Sequence, residues 1–274
     1  MSDARPIGLF DSGVGGLTVL DAVARRLPSE NLLYLGDTAR LPYGTKSPET
    51  VRRYARKAAE FLAAHDVKAL VVACNPASAL ALDVLEDLVP VPVVGVVGPG
   101  AKAAVEEARR LERGSGAISA IAVLATEATV ASDAYGRAVR AIDSSREVLN
   151  TACPLFVPLA EEGWIDNDVA RAAAEHYLAP VRASGARVVI LGCTHYPLLR
   201  TTIARALAPG TVLVDSAESA ATALAGRLPE EARRAGGGAG ETHLLVTDAS
   251  ERFTRLAGRF LGREAARLEL VDLA

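Results

Sequence analysis

The sequence predicts an α/β protein of two similar lobes, each a mainly parallel sheet flanked by helices, with a cleft between them. Three observations carry that reading. Short β-branched runs alternate with helical stretches along the chain, the pattern of a helix-covered parallel sheet. Two pairs of segments echo each other, IGLFDSGVGG with IAVLATEATV and ALVVACNPAS with VVILGCTHYP. The length, 274 residues, is close to the size at which one core gives way to two.

Taken in order, IGLF at 7–10 is a strand that enters the small-residue loop DSGVGG, and LLYLG at 32–36 is a second buried strand. The segment after SPET is a helix. Ser47 can cap it, Pro48 suits its first position, and Val51, Tyr54, Ala55, Ala58, Phe61 and Leu62 share one face. ALVVA at 69–73 and VPVVGVV at 91–97 are further strands of the first lobe. IAVLA at 121–125 and RVVILG at 187–192 belong to the second lobe, and TVLVD at 211–215 begins the return to the first. RRAGGGAGE at 233–241 is a surface loop ahead of the strand-like HLLVTD. The expected division is residues 1–98 plus 212–274 for the N-terminal lobe, with Asp11 and Cys74, and 99–211 for the second, with Cys193 and His195.

Composition narrows the function. Hydrophobic residues make up 50% and charged residues 23%, which is ordinary for a globular protein. The net charge of -3, with Lys and Arg scattered, and the 4% aromatic content supply neither the basic stripe nor the stacking surface of a nucleic-acid binder. The start MSDARPIGLF has no signal pattern, and no apolar run approaches the roughly 18 residues of a membrane span, so a cytoplasmic location is expected. The expected partner is a small polar substrate, without nucleic acid or membrane. Cys74, Cys153 and Cys193 are too few and too widely spaced for a disulfide framework or a zinc site, and no metal is expected.

Chemistry is the more informative use for two of these thiols. Cys74 and Cys193 each end an apolar strand and precede polar residues, Asn75 and Ser78 in one case, Thr194 and His195 in the other. In open α/β sheets ligands bind beyond the carboxyl ends of strands, and a helix starting there favours thiolate. Inverting a carbon centre requires a base on one face and an acid on the other, and paired thiols from two lobes meet that need. Asp11 and His195 are natural tuning partners. Taken alone, Asp11 is a helix-capping residue and His195 a structural histidine; the proximity of His195 to Cys193 in sequence is what lifts it. Cys153, between Ala152 and Pro154, reads as a small buried hydrophobe. The glycines at 13, 15 and 16 do not form GxGxxG, and no P-loop exists; the loop suits a carboxylate instead, as do Tyr43 and Gly44, and Thr126 and Thr129.

The motifs GLFDSGVGGLTVL, GDTARLPYGTKSPETV, VVACNPASA, CPLFVPLAEEGW and LGCTHYPLL, in this order, resemble those of the aspartate/glutamate racemase family, in particular its glutamate racemases. The resemblance runs from about Ile7 to Ser219. It implies two α/β lobes, a site between them, no pyridoxal phosphate or other cofactor, and interconversion of L- and D-glutamate for peptidoglycan synthesis by a homodimer. It makes Cys74 and Cys193 the acid/base pair, assisted by Asp11 and His195. Asp11, Ser12, Tyr43, Gly44, Asn75, Thr194 and His195 would line the substrate site, with Asp37 and Glu161 as electrostatic helpers; Pro76, Thr126 and Thr129 are expected beside them. Two departures stand out: Pro76 where the family usually has threonine, and Gly98 where many relatives have glutamate. Pro76 removes a hydroxyl donor, which keeps open a racemase for aspartate or another acidic amino acid, or a catalytically weakened binding or regulatory relative. A subset of the family interacts with DNA gyrase, although this sequence offers no DNA-contacting surface.

Overall fold

A computed structural model describes residues 3–113, 120–234, 238–248, 251–263 and 268–273. Among the described residues ten strands build two sheets. They are β1 (Ile7–Asp11), β2 (Leu32–Gly36), β3 (Ala69–Val72), β4 (Val93–Gly95), β5 (Ile121–Ala125), β6 (Val148–Ala152), β7 (Val188–Gly192), β8 (Val212–Asp215), β9 (Thr242–Val246) and β10 (Leu268–Leu270). The first sheet runs β10-β9-β2-β1-β3-β4 and the second β6-β5-β7-β8; every pairing is parallel.

Both sheets are covered by helices, so their inner strands are buried on both faces. Leu9 and Tyr34 face an inner core that is continuous with Leu124 and Leu191 of the other sheet and with Phe156 of the helix Phe156–Glu162. Phe10, Leu35 and Val72, pointing the opposite way, pack with Val51, Ala55 and Leu62 of the helix Pro48–Ala64. That helix starts as expected, with the Ser47 hydroxyl accepting from the Thr50 N–H at 3.4 Å and Pro48 in the first turn. On the far side of the second sheet, Val123 and Ile190 pack with the helices Val97–Glu112 and Ala134–Ile142. The shared inner core makes the lobes one packed body at the base, open only where the strands end.

Three expectations change. TVLVD pairs with β7, so the strand at 212–215 belongs to the second sheet and the chain returns to the first only with β9. The run at 91–97 is a three-residue strand followed directly by a helix starting at Val97, because the buried Val96 and Val97 serve the helix start. The strands β6 and β10 were absent from the expected set; both are sheet edges with no fully buried residue. Residues 235–237 of the 233–241 loop lie outside the described residues. Among the described residues no helix is long and apolar enough to cross a membrane.

Candidate active site

The carboxyl ends of β1, β3, β5 and β7 meet around one cavity of about 210 Å³. The first sheet's side supplies Asp11, Ser12, Pro42, Gly44, Thr45, Cys74, Asn75 and Pro76. The other side supplies Thr126, Glu127, Pro154, Val157, Pro158, Cys193, Thr194 and His195. The approach of the two sides is close. A Cβ on Gly15 would lie 2.2 Å from the Thr194 hydroxyl oxygen and 2.5 Å from the His195 ring, so only glycine fits there. The Thr18 hydroxyl, one turn further on, donates to the Thr194 carbonyl at 3.0 Å.

Cys74 is fully buried just after β3, immediately before the helix Asn75–Leu80. Cys74 is the cap position of that helix; Asn75 and Pro76 are its first two residues, and proline is tolerated there because its missing N–H would have no helical partner. Burial and the Asp11 charge push the Cys74 thiol well above its usual range, against hydrogen bonds from the Ala77 N–H and from the Ser12 hydroxyl and N–H that favour thiolate. Cys74 is therefore held as the neutral thiol. Asp11 does not cap the helix Leu17–Arg26, whose cap position is Gly16; its carboxylate instead ties down the loop ahead of it, accepting from the N–H groups of Gly13 at 3.1 Å and Gly16 at 3.0 Å. Asp11 also lines the cavity.

Cys193 follows β7 and faces a different neighbour. Its Sγ lies 3.9 Å from Nδ1 of His195, whose Nε2 is 3.2 Å from Glu161. The other Glu161 oxygen accepts from Arg252 at 2.9 Å. Burial works to lower the His195 pKa, yet the hydrogen bonds to Cys193 and Glu161 outweigh it and raise the ring to about 10. Burial likewise opposes ionisation of Glu161, but the His195 and Arg252 cations hold its carboxyl below the usual range. An imidazolium thus sits against the Cys193 sulfur. Phe260 meets the His195 ring edge-on, with centroids 5.1 Å apart.

The remaining expected residues divide. Ser12, Gly44, Asn75, Pro76, Thr126 and Thr194 line the cavity. Tyr43 and Thr129 stand behind its wall: Tyr43 is buried and donates to Asp37 at 2.6 Å, and the Thr129 hydroxyl lies 3.3 Å from that of Thr126. Asp37 is a buried structural node that also accepts from Thr247 at 3.0 Å. Gly98 is exposed, with nothing within 4 Å of an added Cβ. Cys153 is buried with its thiol 3.7 Å from the Thr151 carbonyl, and burial pushes it up to about 12. Sequence reasoning missed Pro42, Thr45, Glu127, Pro154, Val157 and Pro158 as lining residues. The PYGTK and CPLFVP motifs that contain five of them were the available signal. Among the described residues no group of three or more His, Cys, Asp or Glu is placed to hold a metal ion.

Two all-parallel sheets that deliver one strand-end thiol each to a common cavity define a class of two-lobed α/β proteins. The Asp/Glu/Hydantoin racemase family matches residues 12–224, and the chain belongs to that family. A glutamate racemase of Geobacter metallireducens is 48% identical over 270 residues, covering 98% of this chain and 97% of that protein. The crystal structure of glutamate racemase from Thermus thermophilus in complex with β-chloro-D-alanine is 47% identical, with a TM-score of 0.86 and coverage of 100% and 99%. That of the Francisella tularensis enzyme in complex with D-glutamate is 35% identical, with a TM-score of 0.89 and coverage of 99% and 98%.

Proposed function

We propose that this chain interconverts L- and D-glutamate without a cofactor, using Cys74 and Cys193 as a two-sided proton relay. The observation that carries the reading is that one thiol from each sheet lines the same cavity. In one direction the Cys193 thiolate, paired with the His195 imidazolium, removes the α-proton and becomes the thiol. The Cys74 thiol then delivers its proton to the opposite face of the carbanion and is left as thiolate. The reverse reaction exchanges these roles. Asn75, Ser12, Gly44, Thr126 and Thr194 bind the substrate's carboxylates, Asp11 tunes Cys74, and Glu161 holds the His195 ring. Pro76 supplies an apolar surface where a hydroxyl donor would otherwise stand.

Relatives named glutamate racemase, matched over nearly their full length, support glutamate as substrate. On this reading the product D-glutamate serves peptidoglycan synthesis in the cytoplasm, and the working assembly is a homodimer, which sedimentation at micromolar concentration tests. The lobes of this reading follow the sheets: β1–β4 with β9 and β10, and β5–β8. The deciding experiment incubates the purified protein with L-glutamate, and separately L-aspartate, without added cofactor, and follows the circular dichroism signal. Decay of the glutamate signal to zero is expected, with deuterium entering the α-position in D2O. Racemisation confined to aspartate, or dependent on added pyridoxal phosphate, would overturn the proposal.

A further inference from the structure

The two amide atoms of Asn75 have unlike surroundings. Oδ1 accepts a 2.7 Å hydrogen bond from the Tyr135 hydroxyl, whereas Nδ2 is buried without a hydrogen-bond partner among the described residues. Buried donors are almost always satisfied, so one left open at the wall of a cavity is satisfied by what binds there. Tyr135 comes from the helix Ala134–Ile142, on the second sheet's side, and does not itself line the cavity. Its ring is confined. A Cβ on Gly192 would lie 3.0 Å from one edge of it and a Cβ on Gly100 3.3 Å from the other.

The geometry points to Tyr135 as a positioning residue that acts through Asn75: its hydroxyl fixes the amide so that Nδ2 faces the cavity and donates to a substrate carboxylate. The inference rests on the reading of Asn75 as a substrate contact. A side-chain amide can present either its oxygen or its nitrogen to a ligand, and only the nitrogen attracts a carboxylate. The donor into Asn75 comes from the other lobe, so the contact is aligned by the apposition of the two sides and not by the first lobe alone. Tyr135 never touches substrate in this scheme. It acts on binding in ground state and transition state alike.

Steady-state kinetics of Tyr135→Phe, Asn75→Ala and the double variant test this. Tyr135→Phe, which keeps the confined ring, is expected to raise KM for glutamate by about 2- to 10-fold, the range of one neutral hydrogen bond, with kcat within about 2-fold. Asn75→Ala is expected to raise KM further, and adding Tyr135→Phe to it should change nothing more. Thermal midpoints measured alongside identify loss of folding. If Asn75→Ala raises KM while Tyr135→Phe does not, or if the two effects multiply, Tyr135 does not act through Asn75 and the inference falls alone. An unchanged KM for Asn75→Ala would remove the substrate contact and the inference with it.

Discussion

The two thiols occupy matching positions, each just beyond a buried parallel strand, yet their surroundings are opposite in kind. Around Cys74 the protein places burial, a carboxylate and neutral donors, and the thiol keeps its proton. Around Cys193 it places an imidazole whose pKa is raised to about 10, backed by Glu161 and Arg252. The backbone setting is thus shared, and the difference lies in what the neighbouring loops bring. A proposed reaction needing one acid and one base can therefore draw them from two identical residues, because the charged groups set beside each thiol differ.

The comparison breaks first at the thiols themselves. Cys74→Ala and Cys193→Ala are each expected to lower kcat/KM for glutamate by about 10³-fold or more in both directions, with the double variant little worse, since the pair works as a unit. Cys153→Ala should stay close to the parent. A residual rate within 10-fold of the parent for either active-site variant would show that the two sides are not both required.

His195→Asn, which keeps a polar side chain but no ionisable ring, should cost about 10²-fold, and it also isolates the charge by a route independent of activity. An imidazole that titrates near 6.5 in the unfolded chain and near 10 in the folded protein keeps its proton between those values only when folded. Its stabilising contribution is complete below about pH 6.5 and lost as pH rises through about 10. The thermal midpoint of the parent should therefore fall relative to that of His195→Asn across this interval. Parallel profiles would mean that the ring is not held as a cation.

The smallest effects sharpen the same contrast by moving outward from Cys193. Glu161→Gln removes a charged partner of the ring and should lower kcat/KM by about 10-fold, with a matching downward shift of the ring's titration measured by NMR. Arg252→Gln removes a half-exposed pair and should change kcat/KM by only about 2-fold. Equal losses at the two positions would show that the arrangement has no such gradient.

Much of this was legible in the sequence because central parallel strands are buried on both faces and read as unbroken apolar runs. ALVVA and RVVILG give away both their strands and the thiols that follow them. The edge strands escaped for the converse reason: VLNTA carries Asn150 and Thr151 and is only half-buried throughout, and LEL is three residues long. At the site, the residues just beyond β1, β3 and β7 were found, whereas Glu127 after β5, Pro154 after β6, and Val157 and Pro158 on the helix that follows were not. Glu127, Val157 and Pro158 reach the cavity through tertiary packing that leaves no periodic trace. Tyr43 misled because a hydroxyl in a polar turn was expected to face substrate, and a buried Asp37 claimed it instead. Tyr135 sits on an ordinary amphipathic helix, and nothing local marks its reach to Asn75.

The placement of β9 beside β2 bears on the order in which the molecule is made. During synthesis the strands β1 to β4 emerge early, but the outer edge of β2 has no partner until residues 242–246 leave the ribosome. That edge belongs to LLYLG, a wholly buried apolar strand of the finished protein, and such an open edge invites pairing with other chains. The second sheet is drawn from one contiguous stretch, β5 to β8, and can close while the first still waits. The nascent protein therefore completes its later half before its earlier one, and the half begun first stays exposed to misassembly for longest.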